Sequence, residues 1–186
     1  MKNSITFTAK FISPVTVKKI ATGNKYIPTT VNAVELSAKN KNDLKSLETI
    51  KDLWGKDSYA CEIYEDARYV NDYYEEYRPS FYALTKQKDS FENLHPEDVI
   101  GLFETQTTFG KILSLDYLQT NPEFLNKIQP ALKQIGTAML GFVEDINKGR
   151  RIEINPALSA RSFYLQNGYK PIHENSHTLF KDVYVY

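Results

Sequence analysis

The chain of 186 residues contains one cysteine, Cys61. A lone thiol excludes an internal disulfide, and a reducing, cytoplasmic setting is the expectation that follows. No histidine stands near it in sequence, which favours a small apolar role over a nucleophilic one. Neither sign of charge is in excess: 23 Lys and Arg face 23 Asp and Glu. That speaks against nucleic-acid binding through bulk charge and leaves room for a local site that holds a small anion. No apolar run approaches the roughly 18 residues a membrane-spanning helix needs, so no membrane partner is expected. Residues 1–11 alternate polar and apolar side chains and lack the continuous apolar stretch of a signal peptide. The phosphate-loop and dinucleotide patterns, GxxxxGKS/T and GxGxxG, are both missing, so nucleotide phosphates are not indicated. His173 and His177 stand four apart with no third ligand or HExxH pattern, and no metal site is expected.

What the chain does have is aromatic volume, 13 Tyr and 10 Phe, to fill a core. A chain of this length buries roughly 70% of the surface its unfolded form exposes. With no repeat, low-complexity tract or long linker, residues 1–186 are expected to form one domain.

Hydrophobic periodicity gives the elements. Ile5–Ile12 and Val15–Ile20 read as strands separated by Ser13-Pro14, and Val31–Ser37 as a third. Asn42 is a candidate cap for a helix from Asp43 to Trp54, with Leu44, Leu47, Ile50 and Trp54 on one face and Gly55 as the stop. Tyr59, Ile63, Ala67, Val70 and Tyr74 favour a second helix, with a strand at Tyr59–Tyr64 as the alternative. Ser80–Thr85, Val99–Thr105 and Lys111–Gln119 follow as strands of an antiparallel meander, the third preceded by a turn at Phe109-Gly110. A helix then spans Gly136 to Lys148, and Arg151–Ile154 is a short strand. Asn155-Pro156 reads as the start of a helix that stops at Gly168. Lys170–Ile172 and Thr178–Val185 close the chain as strands. This order is α+β or mixed α/β.

Two stretches carry a resemblance. The first is Leu115-Asp116-Tyr117-Leu118-Gln119-Thr120-Asn121-Pro122 with Gln134-Ile135-Gly136-Thr137-Ala138-Met139-Leu140. The second is Ala160-Arg161-Ser162-Phe163-Tyr164-Leu165-Gln166-Asn167-Gly168-Tyr169. From about Val31 onward the order of elements resembles the GNAT superfamily of acetyltransferases. The resemblance implies a mostly antiparallel central sheet flanked by helices, with residues 1–30 as an N-terminal β extension. It also implies acetyl-coenzyme A as cofactor and an amine, small-molecule or peptide, as acceptor.

The first stretch looks like that family's cofactor motif of splayed strand, phosphate loop and helix. A helix start presents unpaired N–H groups and about half a positive charge. Ile135, Gly136, Thr137 and Ala138 would supply those donors to a diphosphate, with Gly136 allowing close approach. Leu118 and Thr120 would meet the pantetheine amides, and an N–H near Leu118 would face the developing oxyanion. The family's loop reads Gln or Arg, two residues, Gly, one residue, then Gly or Ala. Here those positions hold Ala131, Gln134 and Gly136, and the segment between Pro122 and Gly136 is longer than usual. Lys127 and Lys133 are available to face the phosphates instead. The Asn that often precedes the second stretch is replaced by Ala157.

The resemblance makes Tyr164 the general acid that protonates the departing thiolate. Glu104 and Asp116, on neighbouring strands, are candidate bases for an amine that is mostly protonated at pH 7. Glu62, Glu65, Asp66, Asp72, Glu75 and Glu76 fall where the family's substrate-selecting helices lie. They would attract a cationic amine such as a polyamine, an aminoglycoside or a lysine side chain, although a solvated helix face is the plainer reading. The expected activity is acetyl transfer to a primary amine by direct attack. The alternative is a catalytically inactive protein-binding or regulatory module, motivated by the altered phosphate loop. Acetylation of aminoacyl-tRNA is disfavoured by the balanced charge. Residues 1–30 have three open uses: extending the sheet, covering an edge or forming a homodimer contact.

Overall fold

The computed structural model describes residues 9–70, 79–108, 112–125 and 127–184. The helix and strand positions assigned above to Ile5, Asp72, Tyr74, Glu75, Glu76, Phe109, Gly110 and Lys111 lie outside them.

Extended, β-branched stretches open the chain as a long hairpin of β1 (Lys10–Ile20) and β2 (Tyr26–Leu36). Ser13-Pro14 does not divide β1 as the sequence suggests. A proline lacks only its N–H, and among the described residues β1 has a second neighbour solely at Lys18 and Lys19, so the strand tolerates Pro14 along that edge. The irregularity shows instead as a register shift between Phe11 and Ser13.

Helices α1 (Lys41–Trp54) and α2 (Tyr59–Arg68) follow. Asn40, not Asn42, caps α1: its side-chain oxygen accepts the N–H groups of Asn42 at 2.7 Å and Asp43 at 3.2 Å. Gly55 closes α1 with φ 91°, a conformation that favours glycine. The Tyr59 segment is helical over Tyr59–Arg68, not a strand.

The meander forms as β3 (Pro79–Thr85), β4 (Val99–Thr108) and β5 (Ile112–Thr120), all antiparallel. Then come β6 (Leu132–Lys133), α3 (Ile135–Ile146), β7 (Arg151–Ile154), α4 (Arg161–Gln166), β8 (Lys170–Pro171) and β9 (Leu179–Asp182). Asn155 does not start α4. A single 3-10 turn at Leu158–Ala160 intervenes, and α4 runs six residues. The Asn155 side chain instead accepts a hydrogen bond from Thr178 Oγ1.

The described strands form one nine-stranded sheet in the order β6-β1-β2-β3-β4-β5-β7-β9-β8. Only β5 and β7 pair in parallel. Two apolar clusters cover its faces. Leu47, Ile50, Ile63, Phe81 and Leu102 lie on the side of α1 and α2. Phe103, Leu113, Leu115, Met139 and Phe142 lie on the side of α3 and α4. No described helix is long and apolar enough to cross a membrane.

Candidate functional site

Strand β5 is nine residues long and β7 four. They pair only where Ile112, Leu113 and Ser114 meet Arg151, Ile152 and Glu153. Beyond that point β7 stops at Ile154, while β5 continues to Thr120 with β4 as its one neighbour among the described strands. The backbone polar groups on its other edge are therefore free of a strand partner. A cleft of about 660 Å³ lies in this opening. Of the residues expected to hold a cofactor, Leu118, Thr120, Lys133, Gln134, Ile135, Gly136 and Thr137 line it.

The wall at α3 is a helix start that no side chain caps. The first intrahelical bond runs from Ala138 N–H to Gln134 carbonyl at 2.9 Å. Ala138 is therefore not a free donor, and it does not line the cleft. The three amides ahead of it are the ones presented. Gln134 sits at φ 62°, in the left-handed region. Glycine is at ease in that conformation, whereas a residue with a side chain is strained by it. Gly136 has a second role. A Cβ there would stand 3.0 Å from the Phe163 ring, so the glycine lets α4 lie against α3.

The lengthened loop ahead of α3 is accounted for by β6. It pairs with β1 through Lys18 and Lys19. Ile20 N–H donates to the Ala131 carbonyl at 3.0 Å, and Tyr26 Oη donates to the Pro130 carbonyl at 2.8 Å. The Lys133 ammonium lies 4.2 Å from the Tyr26 ring centroid while its chain lines the cleft. Lys127 does not reach the cleft and approaches Glu123 at 4.0 Å.

Tyr164 lines the same cleft from α4 and is nearly buried, against Phe163 and Tyr169. Burial, and secondarily Tyr59, push its phenol up to about 12, so it stays protonated at neutral pH. Tyr59, at the start of α2, completes this wall and packs on Tyr117 with ring centroids 5.4 Å apart. Sequence reading gave Tyr59 only a place on a helix face, because nothing in its spacing marks it as lining a cleft between distant strands.

Glu104 and Asp116 do come together, but in a second, smaller cavity of about 270 Å³ beside the first. A bulge makes this happen. Glu104 pairs with Tyr117 and Thr105 with Leu115, which leaves Asp116 as the extra residue. Leu115 packs toward α3, whereas Tyr117 packs toward α2. Ser114, Asp116 and Tyr117 thus join Glu104 and Gln106 of β4, Asp66 of α2 and Asn155 after β7. Asp66 lies in this cavity and is not part of a wholly solvated helix face.

Glu104 is only 3% exposed. Burial first, then the charges of Asp66 and Asp116 and a hydrogen bond shared with Asp66, raise it to about 9. It is a neutral acid at pH 7 and accepts no proton there. Asp116 is raised by burial and by Asp66, although its side chain is exposed, and a hydrogen bond from the Ser114 hydroxyl opposes the rise. Tyr117 is pushed up to about 12 by burial and by the carboxylates Asp66, Glu62, Glu104 and Asp116.

By sequence, no family model and no curated protein matches the chain. By structure, it is similar to an acetyltransferase of the GNAT family from Staphylococcus aureus Mu50. That match has a TM-score of 0.52 at 15% identity and covers 82% of this chain and 99% of that one. It is also similar to AtaTR bound with acetyl-coenzyme A, with a TM-score of 0.50 at 12% identity over 81% of this chain and 92% of that one. The fold is GNAT-like.

Proposed function

We propose that the protein is an acetyl-coenzyme A-dependent N-acetyltransferase that moves the acetyl group to a primary amine by direct attack. The observation that carries this reading is one cleft that unites an unpaired strand edge, an uncapped helix start and a buried tyrosine. Those donors fit the cofactor. The amides of Ile135, Gly136 and Thr137 suit a diphosphate, and the free edge of β5 from Leu118 to Thr120 suits amide groups. A GNAT-like neighbour binds the same cofactor.

Bound acetyl-coenzyme A would supply an activated acetyl thioester. The chain's own contribution is to bind, orient and manage protons. Phe163 and Tyr164 wall the cleft with aromatic surface that excludes water. Tyr164 holds a proton at Oη for the departing sulfur. Asp116, the exposed carboxylate at the neighbouring cavity, is the better placed base, because Glu104 already carries a proton at neutral pH. In this reading residues 1–186 form one domain that works in the cytoplasm on a small-molecule or peptide amine, without nucleic acid.

Calorimetric titration with acetyl-coenzyme A tests the reading, and the absence of binding at millimolar ligand would end it. Gln134, a side chain where the phosphate loop expects glycine, favours a second reading as a binding module without catalysis. Cofactor binding without turnover on a broad amine panel would select that alternative.

A further inference from the structure

Lysines gather where the first hairpin meets the loop before α3. In the antiparallel pairing of β1 with β6, Lys18 stands directly opposite Lys133. Side chains opposed in this way leave the same face of the sheet about 5 Å apart, and like charges so placed repel. Both lysines are exposed. Neither enters an ion pair among the described residues. Lys133 is the one cation in the described lining of the larger cleft. The one carboxylate there, Asp57, belongs to the turn before α2 and not to the β6 wall.

The pair stands on an ordered base. The Lys133 ammonium lies 4.2 Å from the centroid of the Tyr26 ring. The Tyr26 hydroxyl donates to the Pro130 carbonyl at 2.8 Å, and Ile20 N–H donates to the Ala131 carbonyl at 3.0 Å. Hairpin and loop are thereby held in one register. Lys133 stands two residues before Ile135, the first residue of α3 and the first of the three amides suited to a diphosphate.

We propose that Lys18 and Lys133 form a phosphate subsite that takes the 3′-phosphate of coenzyme A, so that the N-terminal hairpin takes part in recognising the cofactor. This rests on the acetyl-coenzyme A reading above. Besides its diphosphate, coenzyme A carries a phosphate on the ribose, with about two negative charges at neutral pH. With the thioester arm along Leu118 to Thr120 and the diphosphate at Ile135 to Thr137, the nucleotide is the part left to meet β6. An ammonium is a compact charge on a flexible stem with several N–H donors, so two of them can close on one phosphate without a preformed fork. The phosphate supplies the counter-charge that the opposed lysines lack. Residues 1–30 lie outside the two stretches that carry the family resemblance, so those stretches do not point to Lys18.

The test is calorimetric titration of the intact protein with coenzyme A and with dephospho-coenzyme A, which lacks only the 3′-phosphate. The wild-type protein is expected to bind coenzyme A about fivefold more tightly at low salt. That preference should shrink as salt rises to about 0.5 M, because exposed charges are screened. Lys18→Gln is expected to cut the preference to about twofold or less while the affinity for dephospho-coenzyme A holds. Lys45→Gln, which removes the same charge from an exposed position on α1, should leave the preference whole. The two affinities are compared within each variant, so a loss of folded protein cannot imitate the effect. Equal affinity for the two ligands, or a preference that survives Lys18→Gln, would overturn the subsite and leave the cofactor reading in place. Binding of neither ligand would remove the cofactor reading and the subsite with it.

Discussion

Gln134 is the residue at which backbone and side chain disagree. Its φ of 62° places a side chain where glycine is at ease. A left-handed conformation costs an ordinary residue about 1–2 kcal/mol, part of which glycine returns through its freer unfolded chain. Gln134→Gly should raise the melting temperature by about 2–4 °C, measured by thermal unfolding. A lower melting temperature would mean that the glutamine side chain makes a contact that outweighs its backbone. Tyr164 poses a different question. With its phenol near 12, its proton does not titrate between pH 6 and 10. Tyr164→Phe should lower kcat about a hundredfold at every pH in that range while the Kd for acetyl-coenzyme A holds. A loss confined to one end of the range would assign the acid role elsewhere. The sequence marked Tyr164 through the aromatic pair before Gly168. It could not mark the proton on Glu104, which comes from burial and from Asp66, a residue 38 positions away that only the fold brings near.

At the scale of elements, the end signals decide more than the interior pattern. Both Asn40 and Asn42 are plausible caps by type, and their difference lies in backbone geometry. Asn40 is extended and receives two amides, while Asn42 is already inside the helix. Asn40→Ala should cost about 1 kcal/mol in urea unfolding, and Asn42→Ala no more than about 0.5 kcal/mol. Strand β4 and helix α3 are spaced by Gly101. A Cβ there would lie 2.6 Å from Met139 Sδ and 3.2 Å from Ile135 Cγ2. Gly101→Ala should therefore destabilise by about 1–3 kcal/mol, and it displaces the first turn of α3 on the cleft wall. Unchanged stability in that variant would show that Met139 moves aside freely. The antiparallel meander and α3 were readable from periodicity because each has a buried face. The Asn155-Pro156 helix start was misread, since the same two residues also suit an irregular turn, and Thr178 from a distant strand takes up the asparagine. Strand β6 was unreadable: two residues carry no period, and their partner lies over a hundred residues upstream.

For the molecule as a whole, buried carboxyls tie stability to pH. Glu104 is raised to about 9 and Asp43, buried at the start of α1, to about 6, both mainly by burial. In the unfolded chain both ionise near 4. Between those values the folded state binds more protons than the unfolded state, so stability falls as pH rises. The decline should continue through pH 6, where Asp43 ceases to contribute, to about pH 9, where Glu104 does. Its slope is at most about 1.4 kcal/mol per pH unit for each proton. Glu104→Gln should flatten the segment between pH 6 and 9 in denaturant titrations. A wild-type curve already flat there would show that Glu104 is ionised in the folded protein.

The hydrogen bonds from Ile20 and Tyr26 to the loop before α3 have a mechanical implication. In the proposed reading, the amides suited to a diphosphate are positioned from outside their own helix, by a hairpin more than a hundred residues earlier in the chain. On that reading, a change at the hairpin tip, remote from any reacting atom, would travel along the tether and retune how firmly the proposed site grips a diphosphate.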